Sequence, residues 1–78
     1  MNLTQCIRGG SRDGRNGYLL GFPYEEEAVE TLKRSIPHTA REWREAEEIW
    51  WVSIEFDEVL RTIFPNFYAL AHLQGRLF

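Results

Sequence analysis

Hydrophobic and polar residues along the chain follow two periods, and each period predicts its own kind of element. Apolar residues spaced three and four apart predict amphipathic helices over residues 24–35 and from Asp57 onward. Alternating, β-branched or aromatic stretches predict strands at residues 3–8, 18–22, 41–45 and 49–54. The order ββαββα(α) predicts an α+β fold, a small single domain spanning residues 1–78 whose helices pack on one antiparallel or mixed sheet.

Turn-forming residues fill positions 9–17, between the first two predicted strands. Asp13-Gly14 and Asn16-Gly17 both supply residues that tolerate positive φ, which hairpin connections often require. We therefore predict a hairpin over residues 3–22, closed by a long, mobile loop that carries arginines.

The first predicted helix is the most regular element of the sequence. Acidic residues 25–27 lie in its first turn, and Lys33 and Arg34 lie in its last turn, which suits the helix dipole at both ends. Pro37 ends the pattern. Its apolar stripe consists of Ala28, Val29, Leu32 and Ile36. This stripe predicts the face that packs into the core.

Residues 40–54 predict a second hairpin with an acidic turn at 46–48. Its second arm contains no Gly or Pro, and strand alternation places Trp50 and Trp51 on opposite faces. Because residues 39–49 are also rich in Ala, Glu and Arg, a helix over that stretch is the alternative.

The C-terminal part of the chain predicts helix in two pieces. Asp57 is a suitable N-cap for the first piece. Pro65 interrupts the pattern, and Asn66 can cap a short further helix that Gly75 ends. The two apolar stripes are Phe56, Val59, Leu60, Ile63 and Phe64, and then Phe67, Leu70, Ala71 and Leu73.

No constellation in the sequence predicts catalysis, a metal or a cofactor. Cys6 is the only cysteine, which excludes an intramolecular disulfide, and its place on a strand predicts a small core residue. His38 and His72 have no second His or Cys at ligand spacing, so we expect ordinary surface or helix-end histidines. No apolar run approaches the roughly 20 residues of a membrane span. We expect a non-enzymatic, cytoplasmic protein without a small-molecule substrate.

Charge and aromatic residues narrow the classes of partner. Nine basic against twelve acidic residues give a net charge of −3, whereas a compact nucleic-acid binder usually carries a basic excess. Tryptophans and an acidic turn suit a protein interface, in which carboxylates can imitate a phosphate row. The candidate partner-binding residues are Trp43, Glu45, Glu47, Glu48 and Trp50. The residues that could bind nucleic acid are Arg8, Arg12, Arg15, Lys33 and Arg41.

Five short motifs follow one another within residues 18–65. They are Phe22-Pro23-Tyr24, Leu32-Lys33-Arg34-Ser35-Ile36-Pro37, Arg41-Glu42-Trp43, Trp51-Val52 and Leu60-Arg61-Thr62-Ile63-Phe64-Pro65. Together they resemble the HARP-type domain of annealing helicases and related helicase-accessory domains. In that family the domain assists binding to branched or single-stranded DNA beside a motor. By position, the resemblance makes Lys33, Arg41, Trp43 and Trp51 the residues to test for a role in DNA binding. It also implies that Trp51 packs against the helices while Trp50 is more open.

Two functions follow as expectations. The first is a protein-binding module that acts on nucleic-acid-processing machinery. It would be a small inhibitor or adaptor of the kind that mobile elements encode, working by steric occlusion or charge mimicry. The second is direct binding of single-stranded or forked DNA, which the acidic charge makes the weaker of the two.

Overall fold

The computed structural model describes residues 2–73, which form a four-stranded sheet with helices on one face. The strands are β1 (Gln5–Gly10), β2 (Asn16–Gly21), β3 (Arg41–Arg44) and β4 (Ile49–Ser53), and the helices are α1 (Glu26–Ser35) and α2 (Asp57–Ile63). Short 3₁₀ turns, His38–Ala40 and Ile54–Phe56, lead into β3 and α2, and a π-helical turn follows at Ala69–Leu73. The predicted α+β class is confirmed. Gly75, predicted to end the last helix, lies outside the described residues.

The strands lie in the order β1-β2-β4-β3, and all neighbours are antiparallel. One row of paired residues across the sheet is Cys6, Leu20, Trp50 and Trp43, and the adjacent row is Ile7, Leu19, Trp51 and Glu42. Adjacent rows point to opposite faces. The helices cover the face that carries Leu20 and Trp50, which we call the helix side. The other face is called the open side.

The core lies between the helix side of the sheet and the two helices. Leu32 of α1, Ile36 directly after that helix and Leu60 of α2 are fully buried there, which confirms the predicted stripe of α1. The Tyr18 ring meets Phe67 edge to face, with ring centroids 5.0 Å apart. Large aromatic side chains therefore supply much of the burial that a domain of this size needs.

The first hairpin is tighter than the sequence predicts. β1 continues through Gly9 and Gly10, which pair with β2, so the connection shrinks to residues 11–15. Within it, the Ser11 N–H donates to the Arg15 carbonyl (2.8 Å), and the Arg15 N–H donates to the Ser11 hydroxyl (2.9 Å). The predicted long loop is thus a short turn held by its own hydrogen bonds.

The second hairpin forms as predicted, and the alternative helix over residues 39–49 is wrong. The Glu48 N–H closes the turn by donating to the Glu45 carbonyl (3.2 Å). Every residue of β4 is buried, because the strand lies between β2 and β3 with both of its faces covered. A helix over residues 39–49 could not form the ladder between β3 and β4, so strand pairing overrides the local helix propensity.

Two helix starts differ from the sequence prediction. α1 begins at Glu26, two residues after Tyr24, because Glu25 is still extended (φ −139°, ψ 123°). Asp57 is the first residue of α2, with Phe56 in the cap position, and no side chain caps this helix. None of the described helices is long and apolar enough to cross a membrane.

Candidate functional site

A groove of about 690 Å³ opens on the helix side, between the edge strand β3 and helix α1. Its lining residues come from α1, β3 and β4 and from two connections, β2 to α1 and β3 to β4, and half of them are aromatic. They are Phe22, Pro23, Tyr24, Val29, Lys33, Trp43, Glu48 and Trp50. The chain folds this way here because Pro23 lies between the end of β2 and the start of α1, so Tyr24 stands clear of both.

The tryptophans form the floor and one wall of the groove. Trp50 is only 9% exposed and packs against Trp43, with ring centroids 5.2 Å apart and an interplanar angle of 50°. Trp43 is 42% exposed and Tyr24 is 80% exposed. Two large aromatic side chains thus present apolar surface to solvent beside a third that is buried.

The structure divides the predicted partner-binding residues between two places. Trp43, Trp50 and Glu48 line the aromatic groove. Glu45 and Glu47 line a separate, smaller cavity of about 370 Å³ near the 11–15 turn. The acidic turn therefore contributes one carboxylate, that of Glu48, to the groove.

The predicted orientation of the two adjacent tryptophans is wrong. Trp50 belongs to the helix-side core, and Trp51 is fully buried on the open side. The Trp51 indole N–H donates to the carbonyl of Gly9 (3.2 Å), and the Arg15 guanidinium lies 5.0 Å from its ring centroid. Alternation correctly predicts opposite faces, but the pairing with β2 decides which face the helices cover.

The five basic residues predicted to bind nucleic acid are not on one surface. Arg12 and Arg15 reach from the hairpin turn to β3 and the residues before it. The Arg12 Nη2 donates to the carbonyl of Trp43 (3.1 Å), and the Arg15 Nη1 donates to the carbonyl of Thr39 (3.0 Å). These two guanidiniums hold the turn against the sheet, which is a structural role.

The other three basic residues lie elsewhere. The Arg41 Nε donates to the carbonyl of Ile36 at the end of α1 (3.0 Å). The Arg8 guanidinium lies 5.9 Å from the Tyr18 ring centroid, and Lys33 lines the aromatic groove. Among the predicted basic residues, only Lys33 is therefore part of the candidate site.

A polar cluster centred on Asp57 was not predicted from the sequence. The Tyr18 hydroxyl donates to Asp57 Oδ2 (2.6 Å), and the Arg61 Nε donates to Oδ1 (2.7 Å). His72 Nε2 lies 2.8 Å from Oδ2, so His72 is no ordinary surface histidine. Burial alone would raise the pKa of Asp57, but the hydrogen bonds from these three residues outweigh it and lower the pKa. The cluster ties β2, α2 and the last helical turn together.

The thiol and the phenol near Asp57 stay protonated, which argues against a nucleophilic role. Burial, aided by the charge of Asp57, raises the pKa of Cys6 from 9.0 to about 12. Burial and the hydrogen bond to Asp57 raise the pKa of Tyr18 to about 12. Within residues 2–73, no group of three or more His, Cys, Asp and Glu side chains could hold a metal ion.

We predict a loss of stability at alkaline pH from these raised pKa values. The unfolded chain releases the Cys6 and Tyr18 protons near their ordinary pKa values of 9.0 and 10.0, before the folded protein does. The contribution of these two groups to the free energy of unfolding should therefore be constant up to about pH 9 and fall as the pH rises toward 12. Urea denaturation across this range measures it. Tyr18→Phe should flatten the decline, whereas Tyr24→Phe, at an exposed site, should not; an unchanged decline in Tyr18→Phe would contradict the assignment.

No protein family, characterised protein or solved structure matches this chain. The resemblance to HARP-type domains therefore stays a prediction, and the functional argument rests on the groove itself.

Proposed function

We propose that the protein is a non-enzymatic binding module that docks a protein partner in the aromatic groove. One observation carries the proposal: Trp43 and Tyr24 expose their rings beside the buried Trp50, in a single groove. Clustered apolar surface of this kind marks interaction sites, whereas single exposed apolar residues are ordinary. Tryptophan and tyrosine are also the side chains most often found at the energetic centres of interfaces.

The chemistry of the described residues supports binding more than catalysis. Cys6 is buried with a pKa of about 12, and Tyr18 is buried and hydrogen-bonded to Asp57. The Asp57 carboxylate is itself engaged by three side chains. A general base needs a free lone pair directed at a substrate, and an activated nucleophile needs a lowered pKa, so this cluster suits neither role.

The class of partner comes from the family resemblance. We propose a component of nucleic-acid-processing machinery, which the module inhibits or recruits by occupying a surface of it. Direct binding of single-stranded DNA has less support, because Arg12 and Arg15 already donate to backbone carbonyls. The five predicted basic residues also form no continuous basic surface along which a single-stranded nucleic acid could bind.

A peptide library displayed against the folded protein tests this proposal. Peptides enriched on the wild-type protein should bind Trp43→Ala and Tyr24→Ala at least about tenfold more weakly, as expected when an aromatic anchor is lost. Ile7→Ala is the matched control, since Ile7 is an exposed apolar residue (58%) on the open side. Enriched peptides that bind all three variants as tightly as the wild type would contradict the proposal.

A further inference from the structure

β3 is a short strand at the edge of the sheet, and it carries Trp43. The strand has four residues and pairs with β4 alone, because it lies at the end of the strand order. A short strand that is hydrogen-bonded along one edge opens locally more readily than a central strand. Since the Trp43 ring forms one wall of the aromatic groove, the shape of the groove depends on the contacts that hold β3 in place.

Contacts from the first hairpin hold β3 from the open side of the sheet. Arg12 binds two consecutive residues of the strand. Its backbone N–H donates to the Glu42 carboxylate (3.1 Å), and its Nη2 donates to the Trp43 carbonyl (3.1 Å). The Arg44 Nη2 donates to the Gly10 carbonyl (2.6 Å), which ties the end of β3 to the same hairpin. The hairpin therefore supports the edge strand at successive positions.

The hydrogen bond from Arg12 reaches Trp43 through the backbone. Within residues 2–73, it is the one hydrogen bond to the Trp43 backbone besides the pairing of β3 with β4. Its donor is a charged guanidinium, which makes it stronger than a bond between neutral groups. The Trp43 ring projects to the other face, the helix side, where it packs against Trp50 with ring centroids 5.2 Å apart. Arg12 thus acts on the groove from the opposite side of the sheet.

We infer that Arg12 is a positioning residue of the aromatic groove. It holds the backbone of β3 so that the Trp43 ring lies against Trp50 before a partner arrives. A side chain that is already held in its bound position loses less freedom on binding, so the affinity for the partner is higher. This inference rests on the proposed function, since it concerns the same groove.

Circular dichroism tests the positioning of Trp43 without any partner. Two indole rings as close as Trp43 and Trp50 couple their electronic transitions and give paired far-ultraviolet bands of opposite sign. Trp43→Phe identifies these bands by removing them. Arg12→Ala should weaken the bands, and Arg12→Lys should restore part of them, because an ammonium group can donate to the same carbonyl. Bands of wild-type strength in Arg12→Ala would overturn the inference.

Arg15→Ala is the matched control for Arg12→Ala. Arg15 belongs to the same turn, and its Nη1 also donates to a backbone carbonyl, that of Thr39 before β3 (3.0 Å). The substitution removes a comparable hydrogen bond but leaves the bond from Arg12 to Trp43 in place. Arg15→Ala should therefore keep the paired bands. If both variants weaken the bands equally, the turn has a general structural role and the inference is wrong.

The peptides enriched on the wild-type protein test the effect on binding. Arg12→Ala should weaken their binding about two- to tenfold, Arg12→Lys should weaken it less, and Arg15→Ala should leave it unchanged. If Trp43→Ala weakens the peptides and Arg12→Ala does not, the inference is wrong while the groove proposal stands. If Trp43→Ala leaves every peptide unchanged, the proposed function fails, and the paired bands alone decide whether Arg12 positions Trp43.

Discussion

Trp51→Ala is expected to destabilise the protein by about 3–5 kcal/mol, the range for truncation of a buried large aromatic side chain. Trp51 is 0% exposed although, within residues 2–73, the helices cover the other face of the sheet. The 11–15 turn folds over it, with the Arg15 guanidinium 5.0 Å from the ring centroid. Alanine would leave a cavity under this turn and would also remove the hydrogen bond to Gly9. Equilibrium urea denaturation measures the loss.

Two variants show whether packing or polar contacts dominate at this position. Trp51→Phe keeps most of the apolar volume and loses the indole hydrogen bond, so it should cost clearly less than Trp51→Ala. Arg15→Ala removes the covering guanidinium and should cost about 1 kcal/mol. If Trp51→Ala unfolds at the same urea concentration as the wild type, the burial of Trp51 on the open side is wrong.

Arg15 of the first hairpin and Arg44 of β3 lie over the open side of the sheet, a role that counting charges could not assign. Polar side chains cover the open side of the sheet, in the place that a second layer of helices would take in a larger protein. The Arg12 N–H donates to the Glu42 carboxylate (3.1 Å), and the Arg44 Nη2 donates to the Gly10 carbonyl (2.6 Å). Long charged side chains can cover apolar surface with their stems while their heads stay solvated. A small domain can in this way bury a tryptophan on a face without helices.

Elements set by local periodicity were predictable from the sequence. The buried stripe of α1 and the two hairpins follow from side-chain spacing and turn residues, which act over a few positions. Gly14 has φ 86°, as the Asp13-Gly14 pair predicts for a turn. The second hairpin competes with a helix over residues 39–49, and the pairing of β3 with β4 settles that competition.

Features set by distant contacts were not predictable. In the Asp57 cluster, Tyr18 lies 39 positions before Asp57 in the chain, and His72 lies 15 positions after it. The groove brings together Tyr24, Trp43 and Glu48, which lie in separate parts of the chain. Among its lining residues, the sequence analysis identified Trp43, Trp50 and Glu48 as binding candidates, but not Tyr24. The faces of Trp50 and Trp51 depend on a register between β2 and β4 that one-residue slippage would invert.

Gly17→Ala is expected to destabilise the protein by about 3 kcal/mol, at the upper end of the range for overpacking a close-packed site. Gly17 lies within β2 and is buried, and it does not have a positive φ. A Cβ there would overlap the backbone carbonyl of Val52 and lie 2.5 Å from the Trp51 indole nitrogen. Neither can move aside easily, because the carbonyl belongs to β4 and the indole is buried. The glycine is needed for space, so that the Trp51 ring can pack against the backbone of β2.

Gly10→Ala is the matched control for this prediction. Gly10 lies in the neighbouring strand β1, and a Cβ there would meet only the Arg15 carbonyl, at an ordinary contact distance of 3.8 Å. Alanine at this position should leave stability unchanged or raise it by about 0.4–1 kcal/mol, since it restricts the unfolded chain. Thermal melts of both variants, followed by near-ultraviolet circular dichroism of the tryptophans, report stability and the packing of Trp51 together. Equal losses in the two variants would contradict the prediction, because they would show that the approach of Trp51 and Val52 to Gly17 does not set the cost.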